Sequence, residues 1–293
     1  MMIEFLQQAI NGLSIGSIYA LIALGYTMVY GIIKLINFAH GEIFMFGSYM
    51  GMIAITVLNL PFYVAFIFSM ITTAVLGIII ERVAYKPLRK SSRIAALITA
   101  IGVSFLLQNA MLQIMGAKIY AFPQVFENKV FNVGGVRINL IQITIFVVSI
   151  ILMIALQLLV KKTSVGRAMR AVSVDKEAAA LMGVNVDRII TLTFAIGSAL
   201  AAAAGIMVGL YYIRVYPFMG FTPGLKAFVA AVFGGIGIIP GAMIGGFVIG
   251  LIETFVAGYG STLYKDAVVF AILILVLLIK PSGLLGKNEK EKV

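Results

Sequence analysis

The stretch "GRAMRAVSVDKEAAALMGVNVDR", Gly166–Arg188, breaks an otherwise apolar chain. It holds Arg167, Arg170, Asp175, Lys176, Glu177, Asp187 and Arg188, together with a short alanine block closed by Gly183. The apolar run 138–160 precedes it and the run 189–212 follows it. Each run has the roughly 20 residues that a helix needs to cross a hydrocarbon core about 30 Å thick. A charged turn between two such runs reads as a loop at a membrane surface, and the rest of the chain can be placed relative to it.

Working outward, apolar segments recur at 8–31, 41–58, 62–81, 94–115, 138–160, 189–212, 226–238, 241–257 and 266–280. The chain is 62% hydrophobic and 11% charged, whereas soluble domains are about a quarter charged. Backbone facing lipid must satisfy its own hydrogen bonds, so every segment is expected to be helical. The connection "ERVAYKPLRKSSR" carries Arg82, Lys86, Arg89, Lys90 and Arg93. The 161–188 connection and the tail with Lys280, Lys287, Lys290 and Lys292 are basic as well. Excess Lys and Arg mark cytoplasmic loops, which places all three inside. The formal net charge of +11 is thereby assigned to orientation in the membrane and not to nucleic acid.

Parity then sets the topology. With 82–93 and 161–188 inside, an odd number of crossings must follow 189–212 to return the 281–293 tail to the cytoplasm. The segment 226–238 therefore crosses or partly crosses, although it is short and ends in "FGGIGIIPG", which breaks a helix. Irregular backbone at depth is tolerated where it is buried in protein or lines a cavity. Counting back, the N-terminus falls outside. The first 33 residues hold no Lys or Arg, so no cleaved signal peptide is expected and the first run stays as a span. The expected fold is an all-α polytopic membrane protein. It is a single transmembrane domain over 1–293, a bundle of about 8–9 transmembrane helices with broken or re-entrant segments. Glycine pairs at Gly12 and Gly16, Gly205 and Gly209, Gly241 and Gly245, and Gly246 and Gly250 allow close helix packing. The stretches 36–55 and 231–250 each place a glycine-containing break before a glycine-spaced span, a faint internal repeat.

Catalysis by this chain is not expected. It has no cysteine and one histidine, and no carboxylate–histidine metal spacing. The tail "GLLGKNEK" lacks the residues of a phosphate loop, with Pro281 where glycine is needed and Asn288 where Ser or Thr is needed. Polar groups at membrane depth are costly and need a reason. "NFAHGE" gathers Asn37, His40 and Glu42 at a helix break. These residues either line a hydrophilic route or cap helix ends at a turn. Glu253, Gln108 and Asn109 lie within spans and are read first as interhelical hydrogen-bonding groups, with Glu253 also a translocation-path candidate.

Within the opening stretch, Asp175 can cap a helix over Lys176–Met182 and Gly183 can end it. Ala178, Leu181 and Met182 share one face of that helix, and Glu177 suits its positive end. So short a helix is marginal in water, so a membrane surface or a groove in a soluble partner must hold it.

Glu177-Ala178-Ala179 followed by Gly183 resembles the coupling loop of ABC importer permeases, although the downstream Ile-x-Leu-Pro of one branch is missing. The whole of 166–207, with "LINFAHGEIFMFGSY", "AVFGGIGIIPGAMIGG" and "LIKPSGLLG", is similar to permeases of branched-chain amino-acid importers, most of all the LivH type. The resemblance implies a type II-like permease architecture in a bacterial or archaeal plasma membrane. It implies a non-catalytic subunit that forms half of a pathway with a second, LivM-like permease. Two ATPase subunits would bind ATP and Mg, and an extracytoplasmic binding protein would deliver the amino acid. Arg167, Asp175, Glu177, Ala178, Ala179 and Gly183 carry over as ATPase-coupling positions. No cofactor is expected on this chain. Two other readings stay open. One is a permease for another small solute such as a sugar, urea or an amide. The other is a self-sufficient transporter or channel using Glu42, His40 and Glu253.

Overall fold

The computed structural model describes residues 1–89, 91–127 and 129–286. Lys90, Lys287, Lys290, Lys292 and the Arg93 side chain, counted above among the basic groups, lie outside the described residues. Among the described residues the chain forms α1 (Met2–Ile33), α2 (His40–Thr56) and α3 (Phe62–Ile80), the last extended by a π-helical turn over Glu81–Tyr85. Then come α4 (Arg93–Met115), a hairpin of β1 (Val130–Val133) and β2 (Val136–Asn139), and α5 (Leu140–Lys162). The charged loop holds α6 (Ser164–Val174) and α7 (Lys176–Leu181). The chain closes with α8 (Val186–Tyr212), α9 (Phe221–Gly234), α10 (Ile239–Tyr259) and α11 (Lys265–Ile279).

α1 and α8 form the centre: 83% of the most apolar window of α1 and 72% of that of α8 are buried, against 17% for α4 and 22% for α5. Outward faces carry large apolar side chains, such as Ile71 and Ile79 on α3, Ile151 and Leu158 on α5, and Leu278 on α11. In water such a belt would drive aggregation, whereas in lipid it is at home. α1 packs against α10 through glycine: a Cβ at Gly16 would strike the backbone of Phe247, and one at Gly250 would strike the backbone of Gly16. The seam therefore closes to backbone contact, as small-residue spacing allows.

The basic connections gather at one end of the bundle. Lys86 and Arg89 after α3 pair with Asp187 at the start of α8, with Lys86 Nζ 2.8 Å from its carboxylate. Arg89 also pairs with the buried Glu81, whose other oxygen accepts a hydrogen bond from Thr191 Oγ1 at 2.8 Å. The opposite end carries the hairpin, whose Gly134-Gly135 turn has positive φ at both positions as a two-residue turn requires. Gln7 of α1 holds it through both backbone groups of Arg137, each at 2.9 Å.

The structure revises the count of full-length spans and refines the segments around them. Among the described residues six helices are long and apolar enough to cross a membrane, fewer than the eight or nine expected. α2, α9 and α11 have 17, 14 and 15 residues. Two of these start inside the bundle. His40 at the head of α2 lies against Gly25, and Gly25 against Gly197, positions roughly 12 Å from the end of α1 and 16 Å from the start of α8. Gly41 in turn meets Gly220 and Gly224 at the head of α9. The chain thus dips to the middle twice, through 34–39 from the basic end and through 213–220 from the opposite end. Tyr120 and Val215 pin the second dip by exchanging backbone hydrogen bonds at 2.9 and 2.8 Å. The span expected at 226–238 is therefore a half-length helix over Phe221–Gly234, about 20 Å long. The glycine break that matches the one before α2 precedes α9, not α10; the 235–238 turn sits at the basic end, where Gly237 meets Gly31. Finally, the hairpin and α6 are additional elements.

Candidate functional site

The charged loop is a fixed platform. Thr163 caps α6 through Gly166 N–H at 3.0 Å, and Gly166, Met169 and Val172 turn into the bundle. Arg170 holds the carbonyl of Val160 on α5. Asp175 Oδ1 accepts from the N–H groups of Glu177 and Ala178 at 2.8 and 3.0 Å, which starts α7 at the residue expected. Met182 and Gly183, at φ +82°, end it, and Val184 N–H closes on the Ala179 carbonyl. Within α7 only Ala179 is buried. Arg167, Glu177, Ala178 and Gly183 face outward, and Leu181 and Met182 are 90% and 84% exposed. Partial desolvation and then the cations of Arg89 and Lys34 hold the Lys176 ammonium below the ordinary lysine range.

The structure divides the four translocation-path candidates. Asn37 and His40 are both buried at the first dip, each with one side-chain nitrogen (Nδ2 and Nε2) that has no hydrogen-bond partner among the described residues. Asn37 Oδ1 accepts from Ala39 N–H at 3.1 Å and from Tyr85 O–H at 2.9 Å, tying the first dip to the π turn. His40 packs edge-on to Tyr26, ring centroids 4.7 Å apart, against Gly25. Glu42 is buried at the meeting point of α2 and α9, one oxygen against Gly220, and that oxygen has no hydrogen-bond partner. Neither helix has a side-chain cap at its N-terminus. The carboxylate therefore lies close to the N-terminal ends of both helices. It borders an apolar cavity of about 230 Å³ with Phe38, Ser104, Phe105 and Gln108. Asn109, by contrast, bonds the carbonyl of Phe105 on its own helix and faces outward.

Glu253 lies elsewhere, in a second cavity of about 210 Å³ between α1, α8, α9, α10 and α11. Lys226 Nζ sits 2.7 Å from Glu253 Oε1 and 2.6 Å from Asp266 Oδ1. Tyr19 O–H donates to Glu253 Oε2 at 2.7 Å, and Lys265 Nζ lies 3.3 Å from Oε1. Lys226 and Glu253 are almost wholly buried. Burying opposite charges together avoids the large cost of an isolated ion. Sequence reasoning found Glu253 but missed Lys226, Asp266 and Arg214. Lys226 stood at the edge of a short apolar run, and nothing in linear spacing pairs it with a residue 27 positions on. Among the described residues no group of three or more His, Cys, Asp or Glu is placed to hold a metal ion.

Comparisons with known proteins agree with this architecture. A family described as "Branched-chain amino acid transport system / permease component" matches residues 8–277. The chain is 50% identical over 302 residues to the high-affinity branched-chain amino acid transport system permease protein BraD of Pseudomonas aeruginosa, covering 99% of this chain and 98% of that one. It is 48% identical to LivH of Escherichia coli over the same shares. It is 30% identical to a probable LivH of Methanocaldococcus jannaschii, covering 94% and 90%. Among solved structures, PsaBC from Streptococcus pneumoniae in complex with Fab superposes with a TM-score of 0.50 at 14% identity, over 95% of this chain and 92% of that chain. That likeness concerns the fold alone. The bundle with its two half-length helices, the exposed charged loop and near-complete alignment at half identity lead to one assignment: the chain is a multi-pass membrane permease belonging to the branched-chain amino acid transport system permease family.

Proposed function

We propose that the chain forms half of the membrane pathway of an ATP-driven importer for branched-chain amino acids. ATP and Mg bind separate ATPase subunits, which dock on the loop 166–188. An extracytoplasmic binding protein delivers the substrate to the opposite end. The basic end is cytoplasmic, with the N-terminus outside and the C-terminus inside, in a bacterial or archaeal inner membrane. The observation that carries this reading is the construction of α7. A two-turn helix is fastened at Asp175 and Ala179 to a rigid base, yet leaves Leu181 and Met182 bare. Bare apolar side chains on a charged, fixed platform suit a groove in a soluble protein. α4 supports a second permease subunit: it is the least buried span and turns Asn109 and Gln113 outward at membrane depth. Amides against lipid are costly, and another protein chain offers them partners.

Co-purification tests the docking. A Leu181→Asp, Met182→Asp variant is expected to reach the membrane at normal level, bind no ATPase subunit and support no leucine uptake. Retention of both the ATPase and uptake overturns the assignment.

A further inference from the structure

The geometry points to the Lys226–Glu253 cavity as a binding site for an intact zwitterionic, apolar amino acid within the permease itself. The inference rests on the importer reading above and specifies where that importer holds its substrate between delivery and release.

Charge comes first. Three cations (Arg214, Lys226 and Lys265) and two carboxylates (Glu253 and Asp266) line the cavity, a surplus of one positive charge. Lys226 and Lys265 are engaged with the carboxylates. Arg214 has no carboxylate partner among the described residues. It leans on the faces of Tyr212 and Tyr216, at 5.5 and 5.8 Å from their ring centroids, and keeps its guanidinium free. A guanidinium held in place by aromatic rings is a ready receptor for a carboxylate. Asp266 is bound only through Oδ1 to Lys226 and is 44% exposed, so its other oxygen can take an ammonium group. The cavity therefore offers one cation and one carboxylate oxygen to a ligand that carries one of each.

Shape and polarity follow. Ile15, Ile18, Val208 and Met219 complete the wall. A cavity of about 210 Å³, open at its mouth, has room for one small solute. The combination of paired charges with an apolar wall is how small-ligand sites fix orientation while burying surface. Position agrees as well. Glu253 lies roughly 9 Å below the end of α10, on the side opposite α6 and α7. The mouth, at Arg214 and the start of α11, opens toward the end where the binding protein would dock. Deeper in, α9 leads from Lys226 toward the basic end.

The test is equilibrium binding of radiolabelled L-leucine to the purified complex of permeases and ATPases in nanodiscs, without binding protein. Saturable binding is expected. Excess valine should compete, whereas isoamylamine, lacking the carboxylate, and 4-methylpentanoate, lacking the amine, should not. Arg214→Gln and Asp266→Asn each lie at the partly open mouth and should weaken binding at least about tenfold, as loss of a charge-paired contact does. Lys118→Gln, an exposed cation at the same end, should leave it unchanged. Absence of saturable binding, equal competition by the amine or the acid alone, or unchanged binding in both mouth variants overturns the site. The importer reading is separable, because it fails only if wild-type proteoliposomes supplied with binding protein and ATP take up no leucine.

Discussion

Removing Lys226 exposes the energetics of the charged cavity. In Lys226→Met the butyl stem is replaced by an apolar chain of similar length, so packing against α1 is largely kept. What is lost is the ammonium 2.7 Å from Glu253 and 2.6 Å from Asp266. Glu253 is almost wholly buried, so it cannot recover that interaction from water. Breaking a buried pair by removing one partner costs about 3–5 kcal/mol. Here the lower bound applies, because Glu253 keeps the Tyr19 hydroxyl at 2.7 Å and Lys265 at 3.3 Å. We therefore expect a loss of about 3 kcal/mol. At about 2–4 °C per kcal/mol, the apparent Tm falls by roughly 6–12 °C. Adding Glu253→Gln removes the orphaned charge while an amide oxygen still accepts from Tyr19. The double variant should then lie within about 1 kcal/mol of wild type, and the Glu253→Gln single variant closes the cycle that gives the coupling. The assay is thermal unfolding of the purified subunit in detergent, followed by tryptophan-free methods such as loss of monodisperse protein on size exclusion. Additive losses in the double variant would refute the argument, since they would mean that each residue stabilises the fold through packing and not through the other's charge.

Asp175→Ala removes the acceptor for two N–H groups at the head of α7 and should cost about 1 kcal/mol locally. Hydrogen exchange should show faster exchange confined to 176–182, with weaker ATPase capture. Gly250→Val places a branched side chain against the Gly16 backbone; overpacking costs about 1–3 kcal/mol or more, and the folded yield should drop sharply. Glu42→Gln keeps the shape but removes the negative charge between the heads of α2 and α9. Because that charge is buried with an oxygen that has no hydrogen-bond partner, neutralising it should leave the apparent Tm at or above that of wild type, read by thermal unfolding in detergent.

Much of the site was legible as pattern and little of it as partnership. Asp175 and Gly183 were readable because capping is local: a carboxylate two residues before an N–H and a glycine free to take positive φ are decided by neighbours in sequence. The hairpin was not read: its only local signal is "VGGV", and it is short and lies between apolar runs that dominate a membrane sequence. Asn37 and His40 looked equally suited to a pathway and to a structural turn. The tertiary structure adds a Tyr85 hydroxyl to Asn37 and sets His40 against Gly25, contacts that no linear spacing announces.

By itself, the sequence determined a helical membrane protein, its basic end and its short surface helix. These follow from one-dimensional properties: run length against bilayer thickness, Lys and Arg bias, and caps a few residues apart. Only the tertiary structure decided that α2 and α9 begin at mid-depth, and that Glu42 lies between their heads. It alone brought Lys226, Glu253, Asp266 and Arg214 from three helices and a loop into one cavity. The reason is physical. A buried charge is stabilised by whatever surrounds it in space, and in a bundle closed by glycine seams those neighbours come from segments far apart along the chain.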